Sequence, residues 1–345
     1  MIVNPFSVLE LFLCLLRMIF AVAILVTALR LIWRRKHWEE EQVVRRSYLV
    51  YYLVALHVGL SVVSWPVLYA TLQSYVKQWP QVMCIYGVTK IGAASVSISK
   101  FLPYLVNGLQ VTKPILVFLS GCCAILYWVN RSTYSSPLFV RVLIVAVIVS
   151  AVSVIDGGIE TAYLIIPKKE EYAQMACCSA APSAEFSTAR FLPESAGADT
   201  DERNVWVIAH FMVCALGIAT LAAAVIFINS RSAQRYLLGS LFLVAVGIPV
   251  GIRFLLEAGA PAALGLPYHH CAYDLVQVAP EGALGVAIHL FGWFAIGWAA
   301  VLHWFGTVRE TSGAAGTLIK RVLFMALCAQ LGSTTIWLIE LTMPG

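Results

Sequence analysis

Eight stretches of the chain, at about 8–33, 48–75, 113–130, 138–165, 205–229, 236–258, 283–304 and 320–342, are nearly free of charge and long enough to cross a bilayer. About 20 helical residues span the roughly 30 Å of hydrocarbon. In that medium a single segment satisfies all its backbone hydrogen bonds only as a helix. The expected fold is therefore all-α: a polytopic membrane protein, a bundle of about eight transmembrane helices. Composition agrees, with 60% hydrophobic and 12% charged residues in 345, where a soluble domain carries about 25% charge.

Charge then orients the bundle. Arg34, Arg35, Lys36, Arg45 and Arg46 crowd the first loop, and every second loop after it is basic: Arg131 and Arg141, Arg231 and Arg235, Arg309 with Lys320 and Arg321. The positive-inside rule makes these loops cytoplasmic and both termini extracytoplasmic, as in a bacterial-type inner membrane. The first apolar run lacks a basic leader and is expected to be retained as a helix. The net charge of +5 sits mostly in these loops, so it reports topology and not nucleic-acid binding. No Gly-x-x-x-x-Gly-Lys-Ser/Thr or Gly-x-Gly-x-x-Gly occurs, so no nucleotide partner is expected.

One integral domain, 1–345, is expected, with outer loops 76–112, 166–204 and 259–282 forming an extracytoplasmic cap. Gly92 to Gln110 reads as one or two amphipathic helices at the interface. A ninth span there would place Arg231 and Arg235 outside. No convincing internal repeat is evident.

The third outer loop carries the densest chemistry: Pro267-Tyr-His-His-Cys-Ala-Tyr-Asp274. His269, His270 and Cys271 are candidate ligands for zinc or copper, which accept nitrogen and sulfur donors. Cys84, Cys177, Cys178 and Cys271 all fall on outer loops, where two disulfides are expected, or else a redox-active dithiol or thiolate-metal site. No Cys-x-x-Cys supports the dithiol. His210 and His289 lie at matching depths on the fifth and seventh spans, the placement needed to hold a haem iron from both sides.

Charges inside spans cost about 2.5–3.5 kcal/mol each and so usually face partners or pathways. Asp156 and Glu160 share a helix face, as do Arg253 and Glu257, and with Glu340 and Arg17 they suggest an outer ring of carboxylates and arginine. Such a ring serves equally as an ion-pair fastener, a proton path or a quinone site.

These features point first to a membrane redox or electron-transfer protein. It would link an outward thiol, haem b or metal site to the quinone pool, with lipid and other redox subunits as partners. Two other readings share the same residues: a non-catalytic anchor subunit, and a soft-metal transporter using Cys122-Cys123 and Cys177-Cys178.

Overall fold

The computed structural model describes residues 4–34, 40–78, 82, 84–92, 97–133, 136–168, 200–227, 233–265 and 271–342. Among them every regular element is helical, and eight helices are long and apolar enough to cross a membrane.

The chain divides into two compact units, Met1–Ala176 and Cys177–Gly345. The first contains helices α1 (Pro5–Arg34), α2 (Glu40–Val76), the short α3 (Ile85–Lys90), a 3₁₀ turn (Ile98–Phe101), α4 (Leu102–Arg131) and α5 (Phe139–Ile165). The second contains α6 (Thr200–Ile226), α7 (Ala233–Phe254), the short α8 (Ala260–Ala263) and α9 (Leu275–Val278), α10 (Pro280–Val301) and α11 (Ser312–Thr342). Single π turns, Leu255–Gly259 and Leu302–Gly306, extend α7 and α10.

In the first unit α1 packs against α2 and α5, and α5 packs against α4. In the second, α6 packs against α7 and α11, and α11 against α10. The order is the same: the first long helix touches the second and the fourth, and the third leans on the fourth.

Spacing dictates which face of each helix turns inward. On α1 the buried residues are Ser7, Glu10, Leu13, Cys14, Arg17, Ala21, Ile24, Ala28 and Leu31, a run of threes and fours that follows one side of a 3.6-residue helix. On α5 they include Ala146, Val149, Ser153, Asp156, Gly157 and Glu160. The opposite faces expose large apolar side chains, Phe12, Ile19, Trp128 and Phe242 among them. On α10, Gly285 and Gly292 lie in the buried stripe. Without side chains there, Ser333 Oγ donates to Gly285 O (2.8 Å) and Gln330 Nε2 to His289 O (3.2 Å), tying α11 to the α10 backbone.

Several boundaries depart from the sequence reading: α2 and α11 begin at Glu40 and Ser312, ahead of the expected 48 and 320, and two others shift near the outer segments. Residues 102–112, expected to lie in the outer segment, form the first three turns of α4. Pro103 stands at the start of that helix, where its missing N–H costs nothing, and Pro114 lies inside it. The helical run from α7 continues through its π turn and α8 to Ala263, past the expected end at 258.

Candidate functional site

Each unit encloses a polar centre between its long helices. In the first unit α1 supplies Glu10, Cys14 and Arg17, α2 supplies Ser64, α4 supplies Thr112 and Lys113, and α5 supplies Asp156 and Glu160. Arg17 Nη2 donates to Glu160 Oε2 at 2.6 Å, and Arg17 Nη1 stands 3.7 Å from Asp156 Oδ2. Lys113 Nζ bridges the same two acids, 2.7 Å from Glu160 Oε2 and 3.3 Å from Asp156 Oδ2. Thr112 Oγ1 donates to Asp156 Oδ1 at 2.5 Å and Ser64 Oγ to Glu10 Oε1 at 2.5 Å. Glu10 and Glu160 are both 0% exposed and Arg17 only 2%.

The Glu10 and Glu160 side chains also interact with each other. Yet Glu10 Oε2 and Glu160 Oε1 have no donor among the described residues. One proton held between the two carboxyls would satisfy both oxygens, since two bare carboxylates cannot bond each other. The charge count points the same way. Two cations face three acids, and one proton makes the buried set neutral.

Asp156, Glu160 and Arg17 were legible as candidates for one ring, but Lys113 was not. The partners are Arg17 and Lys113, whereas Arg253 pairs along its own helix turn with Glu257, 3.3 Å away, with its guanidinium 5.9 Å from the Trp206 ring. Glu10 and Lys113 were missed. Glu10 stands seven residues before Arg17 on the same stripe, which is the signal that would have found it.

Outside the spans, the chain after α5 folds back on the first unit. Ser99 Oγ donates to Pro167 O at 2.8 Å, and Lys168 Nζ donates to Tyr163 O and, at 3.3 Å, to Ile166 O. The Lys168 ammonium lies 4.4 Å from the Tyr163 ring centre and 5.6 Å from that of Tyr75. Burial pulls its pKa down to about 8.

In the second unit the structure brings His210 and His289 together, with ring centres 5.4 Å apart. His210 stacks flat on Phe254 at 4.0 Å, and His289 meets Trp293 edge-on at 4.4 Å. His210 Nε2 lies 3.6 Å from Cys214 Sγ, one turn along α6. A small cavity of about 20 Å³ adjoins them, lined also by Gly217, Ser240 and Gln330. That is room for about one water. A bis-histidine haem needs a flat macrocycle between the two imidazoles, and the Phe254 and Trp293 rings occupy the flanks where it would extend. These residues do not fit the haem expected from the matching depths.

Cys84 precedes α3 and Cys271 stands shortly before α9, both buried, and no disulfide joins the described cysteines. Cys177, Cys178, His269 and His270 lie outside the described residues, as do the disulfides and metal ligation expected of them.

The fold defines a class by shape: two four-helix units of one packing order, each closed around a buried polar centre. No protein-family model, curated protein or solved structure matches the chain.

Proposed function

We propose that this chain is a multi-pass membrane protein whose first unit is a proton-exchanging centre, so that its work is coupled to proton movement. Eight apolar helices and their exposed Phe, Ile and Trp side chains suit a lipid partner. Arg34, Arg131, Arg141, Arg235 and Arg309 stand at or beside helix ends that the positive-inside rule makes cytoplasmic. Both termini are then extracytoplasmic, in a membrane of the bacterial inner type.

The observation that carries the reading is the Glu10–Glu160 pair beside Arg17 and Lys113. Ionisable groups within spans mark ion pathways and proton relays more often than decoration. A pair of acids sharing one proton beside two fixed cations is built to exchange that proton: losing it leaves an extra buried negative charge that a neighbouring group must then offset.

The electron-transfer reading keeps its quinone half here, because quinone reduction consumes protons as well as electrons. Its haem half has no room. An anchor subunit would instead use the cluster as a fastener, fully ionised and unresponsive.

pH-difference infrared spectroscopy of the purified protein in lipid separates these. A carboxylic-acid carbonyl band should be present near neutral pH, disappear on raising the pH, and be lost in Glu10→Gln or Glu160→Gln. A spectrum with no such band, or one that both variants leave unchanged, overturns the reading and favours the fastener.

A further inference from the structure

The polar centre of the second unit has a different chemistry, independent of the acid pair. We propose that His210, Cys214 and His289 bind one soft, monovalent metal ion, Cu(I).

The donors come first. Cys214 and His210 are four residues apart on α6, so they share a face, and His289 reaches the same space from α10. All three are at least nine-tenths buried, at 5%, 4% and 8% exposure. A thiolate with two imidazoles suits copper(I) or zinc; carboxylate and water would suit harder ions.

Distances come next. With metal bonds of about 2 Å to nitrogen and about 2.3 Å to sulfur, opened to roughly 110–120°, nitrogen and sulfur stand about 3.6 Å apart. His210 Nε2 and Cys214 Sγ are 3.6 Å apart. Two imidazoles on one three-coordinate ion place their ring centres about 5.5 Å apart at the same bond lengths, and these are 5.4 Å apart. His289 Nδ1 is buried and has no hydrogen-bond partner among the described residues. The three donor atoms do not yet converge, and a turn of the His289 ring about its Cβ–Cγ bond brings a nitrogen round. The adjoining cavity has room for about one water-sized occupant.

Charge chooses between the two metals. The cavity lining contains no carboxylate. Neutral imidazoles and one thiolate supply a single negative charge, so Cu(I) leaves a neutral site. Zn(II) would leave a net positive charge buried in a low-dielectric interior, which is costly. Binding is a ligand exchange without electron transfer: the Cys214 S–H bond breaks, its proton leaves to solvent, and the S–Cu bond forms.

The test is an anaerobic titration of the full-length protein in lipid nanodiscs with Cu(I), in competition with a chromophoric Cu(I) chelator, followed by copper X-ray absorption. The wild type should retain one more Cu(I) per chain than Cys214→Ser or the His210→Gln/His289→Gln double variant, and should release one proton with that copper. Its absorption spectrum should show nitrogen and sulfur in the first shell. Equal copper retention in wild type and variants overturns the proposal. If the variants fail to fold, the wild-type spectrum still decides, because a sulfur-only shell overturns it. Zn(II) held at this site in preference to Cu(I) would overturn the monovalent assignment.

Discussion

Replacing Arg17 by Met removes one of two cations from a buried set while roughly keeping its volume. Arg17 is 2.6 Å from Glu160 and 3.7 Å from Asp156. At an effective dielectric of about 20, an attraction across 2.6 Å is worth about 6 kcal/mol before desolvation is counted. Desolvation takes back much of that, and breaking such a pair usually costs about 3–5 kcal/mol net, because the remaining charge stays buried. Arg17→Met should therefore destabilise the first unit by about 4 kcal/mol, read by equilibrium unfolding in mixed detergent micelles. Lys113 then faces Asp156 and Glu160 alone, and the cluster should take up a proton, enlarging the carboxylic-acid infrared band. Arg17→Met combined with Glu160→Gln restores neutrality, and the pair of changes should recover at least about 2 kcal/mol of the loss in a double-mutant cycle. A single variant as stable as the wild type, or a double variant no better than the single, would refute the idea that these charges act as one set.

Gly92 has φ +91, and a Cβ there would fall on the Ser99 carbonyl oxygen, so Gly92→Ala should cost more than the about 1–2 kcal/mol of left-handed strain alone, measured by the same unfolding assay. Lys168 has a pKa lowered to about 8 from 10.5. The unfolded chain thus binds the extra proton between those values, and stability should rise by on the order of 3 kcal/mol as pH climbs through that window. Lys168→Met should flatten the rise, and an equally steep rise in the variant would remove Lys168 as its source. Cysteines placed at exposed Ser132 and Gly313 should react with impermeant thiol reagents only from the cytoplasmic side; labelling from outside would invert the topology.

The number of long helices was legible because a span needs only length and apolarity, both local properties. What the spans hold between them was less so, because partners are set by packing. Glu160 finds Arg17 143 residues away and Lys113 47 residues away, and no spacing along one helix reveals either. Lys113 was hidden further because the third span was expected to begin only at 113, eleven residues after α4 starts. His210 and His289 were recognisable as a pair from depth. Whether they flank a haem or a single ion depends on Phe254, Trp293 and the width of the gap, which only side-chain packing sets. The repeated packing order was invisible because the two halves share helix contacts and little sequence.

That shared order explains why one centre is filled and the other hollow. In α1, Glu10 lies four residues before Cys14 and Arg17 three after; in α6, His210 and Gly217 hold the same offsets around Cys214. Both thiols meet a threonine on the fourth long helix of their unit, Cys14 with Thr161 at 3.3 Å and Cys214 with Thr334. Where the first unit inserts a guanidinium, the second has glycine, and Gly217 lines the cavity beside the histidines. A Cβ at Gly217 would meet nothing within 4 Å, so Gly217→Ala disturbs no packed neighbour and should not destabilise the fold. Gly217→Leu adds three further carbons to a space for one water, filling it while leaving all three donor side chains in place. Unfolding of Gly217→Leu should stay near that of the wild type, since apolar filling offsets local crowding, while its retained Cu(I) falls by one equivalent. Copper retention unchanged in a folded Gly217→Leu protein would show that the ion space lies elsewhere, and the hollow would then be only the imprint of a missing arginine.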